Sequence, residues 1–253
     1  MTKSVLVDLR RCIGCRACQV ACKRWNNRKA ETTTLNTTPG REWTNPPDLS
    51  PQTYTYIRFV SEGGSDAFKW HFAKVQCMHC QEPQCAAVCP TQALYKTAEG
   101  PVLWDQELCI GCGYCLQGCP FGIPRFDEES KQIEKCTFCA ERLLNDLEPA
   151  CIQACPTDTL VIGESAQILE KVNTLEAAGN SVYGKNEAGG TSWIYVSDVP
   201  LEELGFPKVS SEIPSSKTFN LLTEVGAIGV AGALALTGLK LYSDRRTKIA
   251  KEE

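Results

Sequence analysis

The sequence predicts an α+β chain of two small modules, one continuous and one split across the chain, followed by a single C-terminal transmembrane helix. Three observations predict it. Sixteen cysteines fall into four sets of four. Two stretches recur: VLVDLRRCIGCRAC from Val5 is matched by VLWDQELCIGCGYC from Val102, and CPTQAL from Cys89 by CPTDTL from Cys155. A last stretch, LLTEVGAIGVAGALALTGLKL from Leu221 to Leu241, is almost wholly apolar.

At 253 residues the chain is long enough to bury a core. Its net charge of −4 gives no reason to expect a nucleic-acid partner. The two histidines, His71 and His79, follow no Cys-x-x-Cys pair directly, so a covalently attached c-type haem is not indicated. An even cysteine count suggests disulfides in secreted chains, but three thiols on one tight loop make a poor disulfide framework. The N-terminus MTKSVLVDLRRC has too short an apolar run for a signal peptide.

Val5–Val7 reads as a short strand leading into set one: Cys12, Cys15, Cys18 and Cys22. Lys23, not proline, follows Cys22, so a helix starting near Ala17 can run through Trp25. The polar stretch from Asn26 to Gln52 reads as a long surface insertion. Tyr54–Val60 and Phe68–Val75, joined through Gly63 and Gly64, read as a hairpin. Set two is Cys77, Cys80, Cys85 and Cys89. A second hairpin follows, Ala93–Tyr95 and Val102–Trp104 around Glu99-Gly100. Set three is Cys109, Cys112, Cys115 and Cys119. Residues 120–135 read as a proline-bracketed loop with a polar turn. Set four is Cys136, Cys139, Cys151 and Cys155, with a helical turn or two in ERLLNDLEPA. Then Ile168, Leu169, Val172 and Leu175 lie at helical spacing with Gly179 as C-cap, Ser192–Val196 reads as a strand, and a linker starts at Pro207.

Set three, CIGCGYCLQGCP, has the Cys-x2-Cys-x2-Cys-x3-Cys-Pro spacing of bacterial ferredoxins and resembles their cubane-binding loop. Three thiolates cap one cluster; the fourth cysteine is expected to start a helix leading away and to reach another cluster. Set two, Cys-Pro, hairpin, set three is the order of a two-cluster ferredoxin. Sets four and one have that order only if CPTDTLVI supplies one hairpin strand and SVLVD the other. Hence two ferredoxin-like dicluster modules are expected, one split across the chain. Exchange of the fourth ligand then assigns four [4Fe-4S] clusters: Cys12, Cys15, Cys18 and Cys155 (cluster 1); Cys77, Cys80, Cys85 and Cys119 (cluster 2); Cys109, Cys112, Cys115 and Cys89 (cluster 3); Cys136, Cys139, Cys151 and Cys22 (cluster 4). The boundaries are 1–76 (set one, insertion, hairpin), 77–135 (continuous module), 136–163 (set four, completing the split module with 1–25), 164–217, 218–243 (transmembrane helix) and 244–253 (cytoplasmic tail).

Cys-x2-Cys pairs also build zinc sites, but zinc needs four ligands in all, and a third regular cysteine in each set fits it poorly. A zinc-stapled membrane scaffold is therefore the remote alternative. Pro90, Pro120 and Pro156 either set the chain direction after the fourth cysteine or are plain turn residues. His79 either tunes a cluster or is a solvent-facing filler. Trp25, Trp70 and Trp104 read as packing residues rather than electron relays. There is no glycine-rich phosphate loop and no Ser/His/Asp set, so no catalytic residue and no directly bound small-molecule substrate are expected.

As a helix, Leu221–Leu241 spans roughly 30 Å. Ala227, Ala231 and Ala235 form a small-residue ridge among four glycines, suited to packing on another membrane helix. Arg245, Arg246, Lys248 and Lys251 follow the span, so the C-terminus is expected in the cytoplasm and the cluster domain on the periplasmic side. Export of the folded chain with a signal-bearing partner would reconcile this with the N-terminus.

With these motifs, the chain resembles the four-cluster subunits of molybdenum- and tungsten-containing oxidoreductases. Within them it is similar to the beta subunit of membrane-bound respiratory formate dehydrogenase. The likeness rests on CIGCRACQVACKRWN, NPPDLSPQTYTYIRF, CIGCGYCLQGCPFGIPR, KCTFCAERL, EPACIQACPT and GGTSWIYV. The resemblance implies electron transfer from a catalytic molybdenum/tungsten-pterin alpha subunit to a membrane cytochrome b-type gamma subunit that reduces quinone. It also implies that cluster 1 faces the catalytic subunit. The alternative is the same role for a hydrogenase or another molybdenum oxidoreductase. The short N-terminus and the basic-then-acidic tail depart from the family.

Overall fold

A computed structural model describes residues 2–33, 37–39, 41–63 and 68–212. Among them the strands are β1 (Lys3–Asp8), β2 (Tyr56–Glu62), β3 (Lys69–Val75), β4 (Leu94–Lys96), β5 (Val102–Trp104), β6 (Arg125–Asp127), β7 (Gln132–Glu134), β8 (Leu160–Glu164), β9 (Ser181–Tyr183) and β10 (Trp193–Ser197). The helices are α1 (Ala17–Trp25), α2 (Gln84–Ala87), α3 (Tyr114–Gly118), α4 (Ala140–Leu144), α5 (Ala150–Gln153) and α6 (Ser165–Ala177).

The β-branched run of β1 is buried on both faces because it is a central strand. It pairs antiparallel with β8, Val7 opposite Leu160 and Val5 opposite Ile162. On its other edge it pairs parallel with β10, Val5 opposite Trp193. The sheet order is β8-β1-β10-β9. The strand after set four therefore meets the strand before set one, the pairing that a split module requires. The apolar stripe of α6, Ile168 and Val172, packs on Leu6, Ile194 and Val196. Gly179, at φ +90°, ends that helix as its spacing suggested.

β2 pairs with β3 and β4 with β5, the two expected hairpins. The second hairpin joins Leu94 and Val102 to Cys85, Cys115 and Ile133 in a separate small core. The GGTSW stretch closes the region between the modules. Thr191 bridges Cys80, and the Ser192 amide donates to the carbonyls of Met78 and His79. Meanwhile the Val5 amide donates to the Ser192 carbonyl.

Four local expectations are corrected. First, the fourth cysteine does not start a helix: α2, α3 and α5 end just before Cys89, Cys119 and Cys155, and Cys119 is extended (φ −84°, ψ 111°). A residue before proline is pushed out of the helical region, so Pro90, Pro120 and Pro156 follow the helix ends. Cys22, with no proline after it, sits inside α1 as expected. Second, residues 120–135 contain a hairpin, β6 with β7. Third, the insertion is not wholly superficial. Thr44 and Leu49 are buried, and the Thr44 hydroxyl both accepts from the Phe59 amide and donates to its carbonyl. Fourth, of the two readings of His79 the solvent-facing one is excluded, because the residue is fully buried. The expected membrane helix and tail, 218–253, lie outside the described residues; among those described, no helix is long and apolar enough to cross a membrane.

Candidate metal centres

The first two cysteines of each set are separated by two residues, and the second spacer is always left-handed. Gly14 (φ +67°), His79 (+49°), Gly111 (+68°) and Phe138 (+58°) occupy that position. This wraps the loop around a centre. Glycine does so freely; histidine and phenylalanine do so only where the surroundings hold them. His79 and Phe138 stack on one another, with ring centroids 4.9 Å apart, and both are buried. Set one and set three have a second left-handed residue after the second cysteine, Arg16 and Gly113.

Three cavities lie inside the sets. One is lined by Cys109, Cys112, Cys115 and Cys89. One is lined by Cys136, Cys139, Cys151 and Cys22. One is lined by Cys12, Cys15, Cys18 and Cys155. In each, three cysteines of one set meet the fourth cysteine of its partner set. The remaining quartet also gathers: the charges of Cys77, Cys85 and Cys119 act on Cys80. No histidine, aspartate or glutamate lines the three cavities. Among the described residues, no three such side chains or thiols converge as on a single ion. The thiols stand around a space, as a multi-iron cluster with its own sulfides needs and a lone tetrahedral ion does not.

The quartets follow one another. A thiolate at Cys151 would act on Cys18, one at Cys77 on Cys136 and one at Cys115 on Cys85. Cys15 and Cys112 are exposed, whereas every cysteine of the other two quartets is buried or half-buried. Apolar side chains lie open beside the exposed pair: Ile13 next to Cys15, Ile110 and Tyr114 next to Cys112.

Burial pushes the Cys18, Cys22 and Cys85 thiols up to about 12 and Cys139 and Cys115 up to about 11. Cys89 and Cys155 behave differently. Burial raises them, but the repeated Cys-Pro-Thr turn aims backbone amides at each sulfur, those of Leu94, Thr91 and Ala93 at Cys89 and those of Thr157, Leu160 and Thr159 at Cys155. These hydrogen bonds win, and both thiols are lowered. Further donors reach Cys136 from the Phe138 amide (3.3 Å) and Cys119 from the Ile123 amide (3.5 Å).

Sequence reasoning passed over two buried lysines, Lys74 and Lys135. Lys135 donates to the carbonyls of Val102 and Cys136. The only signal was position: each lies within three residues before the first cysteine of a set. Trp104 is half-buried under the Lys135 ammonium, and Trp70 packs against Trp43, Phe59, Phe68 and Phe72. Trp25 lies under the Arg142 guanidinium.

Fold and site together define a protein of two 4Fe-4S dicluster domains. Family models described as a 4Fe-4S dicluster domain match residues 68–165 and 11–93. The chain is 40% identical over 214 residues to the iron-sulfur subunit of the nitrate-inducible formate dehydrogenase of Escherichia coli, covering 80% of this chain and 71% of that one. It is 38% identical to the formate dehydrogenase-O iron-sulfur subunit of the same species, covering 91% and 79%. It is 36% identical to the formate dehydrogenase iron-sulfur subunit of Haemophilus influenzae, covering 94% and 78%. The chain belongs to the family of formate dehydrogenase iron-sulfur subunits.

Proposed function

We propose that the chain carries electrons through four [4Fe-4S] clusters, held by the quartets Cys12/Cys15/Cys18/Cys155, Cys136/Cys139/Cys151/Cys22, Cys77/Cys80/Cys85/Cys119 and Cys109/Cys112/Cys115/Cys89, in that order. The observation that carries the reading is the lining of the three cavities by cross-paired cysteine quartets. When bound, each cluster accepts and releases one electron. The chain's own part is to hold neighbouring clusters close, keep the inner two from water, and bring the outer two to the surface at Cys15 and Cys112. Apolar side chains beside those cysteines suit docking of a partner at each end.

The relatives' names support a formate dehydrogenase complex. In it a molybdenum- or tungsten-pterin catalytic subunit supplies electrons and a membrane cytochrome b-type subunit takes them to quinone. The chain has no catalytic site of its own in this reading. The segment Leu221–Leu241 anchors the chain, with the cluster domain periplasmic and the basic tail cytoplasmic. The test is affinity purification of the full chain from anaerobically grown cells. A co-purifying pterin-containing large subunit, with clusters that bleach on adding formate, is expected. A hydrogenase large subunit, with bleaching by hydrogen and none by formate, would overturn the assignment of partner. Protease added to intact spheroplasts should digest the cluster domain; digestion only after lysis contradicts the orientation.

A further inference from the structure

Lys74 lines two of the cavities, the one that Cys12, Cys15, Cys18 and Cys155 surround and the one that Cys136, Cys139, Cys151 and Cys22 surround. Its side chain is buried, at 2% exposure for the residue. The ammonium donates to the Thr55 hydroxyl at 2.7 Å and to the Gln76 amide oxygen at 2.8 Å, and lies 4.9 Å from the centre of the Trp193 ring. These partners are all neutral, and among the described residues no carboxylate pairs with it. A buried ammonium without a counter-charge is costly. The groups whose negative charge would act on the ammonium are cysteines of both quartets: Cys151, Cys18, Cys136 and Cys22. The Gln76 side chain is itself fixed by donating to the Tyr195 hydroxyl at 2.6 Å, so the lysine is held in place from both sides.

We propose that Lys74 is the shared counter-ion of the two iron–sulfur sites of the split module, raising the reduction potentials of both. The inference rests on the reading that these quartets hold clusters. A cubane with four thiolates is an anion, and each reduction adds one electron to it. A fixed positive charge stabilises the reduced state more than the oxidised state, and net charge is one of the settings of cluster potential. Because one ammonium borders both cavities, it moves both couples in the same direction and leaves the difference between them little changed. Lys74 is a positioning residue in this sense: it touches no substrate and ligates no iron.

The test is a potentiometric titration, followed by electron paramagnetic resonance, of the full chain purified without air, with iron and sulfide counted first. In Lys74→Met two of the four couples should fall, each by at least tenfold in the reduction equilibrium, about 59 mV for one electron, while the other two stay put. Lys74→Arg, which keeps the charge, should leave all four near their original values. Four unmoved couples, four couples moved alike, or an arginine variant displaced as far as the methionine variant would each overturn the proposal. If Lys74→Met does not assemble its clusters, Gln76→Glu carries the test, because it sets a carboxylate against the ammonium without removing it. The same two couples should then fall, and unmoved couples overturn the proposal. A chain without iron overturns the cluster reading itself; a chain with full iron and unmoved couples overturns only the role of Lys74.

Discussion

At the scale of single residues, the cluster loops depend on one left-handed position before the second cysteine. Gly111 shows its limits: a Cβ there would lie 2.1 Å from the Lys131 carbonyl oxygen, on top of the left-handed φ. Gly113, two residues on, meets nothing within 4 Å. Gly111→Ala should therefore lose the cluster of set three, about four iron per chain. Gly113→Ala should keep its iron and lose only about 1–2 kcal/mol of stability. Iron analysis with thermal melting separates the two. The raised thiols have a consequence for assembly. Cys18, Cys22 and Cys85, at about 12, are protonated near neutral pH in the metal-free chain, and iron needs them as thiolates. Cluster insertion must displace those protons, so the yield of anaerobic reconstitution should rise from pH 6.5 to pH 8.5, values about neutrality chosen from the same argument. A yield that falls over that range contradicts it. Glycine at two of the four loop positions was readable in the sequence. His79 and Phe138 at the other two were not, because nothing local announces that a bulky residue is held left-handed by a distant stack.

At the scale of elements, β1 brings the strand that follows set four against the chain that precedes set one. It lies between β8 and β10, and Val5 and Val7 are wholly buried. Val5→Asp places an unpaired carboxylate in that sheet and should cost more than about 3 kcal/mol. Absorbance of the clusters during heating should be lost at a lower temperature than in the parent chain. A quieter variant is Ile168→Ala on α6, which should cost about 2–5 kcal/mol and leave the iron content unchanged at room temperature. The antiparallel partner of β1 was legible because CPTDTL and CPTQAL repeat, so the hairpin after set two served as a template for the strands joined across the chain. The parallel partner, β10, was not: SWIYV reads as a strand, but nothing in its sequence names the neighbour. The β6–β7 hairpin was not legible, because two three-residue strands, the first just after Pro124, joined by a charged turn carry too little periodicity. Helix ends at Cys89, Cys119 and Cys155 follow from the prolines after them.

At the scale of the whole molecule, the proposed path through the four quartets surfaces at Cys15 and Cys112 and is buried in its middle. The ferredoxin-like spacing and the internal repeat led to the expected exchange of ligands, and the cysteine lining of the three cavities supports it. What no spacing could show is the order along the path, which depends on the tertiary approach of Cys136 to Cys77. It was also silent on the buried charge of Lys74 between two sites, since a lysine in a strand usually faces water. The family reading and the geometry meet in one claim, that these thiols hold cubanes rather than single ions. The most direct measurement is iron, acid-labile sulfide and zinc content of the chain purified without air. About sixteen iron and about sixteen sulfide per chain are expected, four of each for every cluster, with a brown colour that bleaches on reduction. About four zinc per chain, one for each quartet, with no iron and no sulfide, would contradict it.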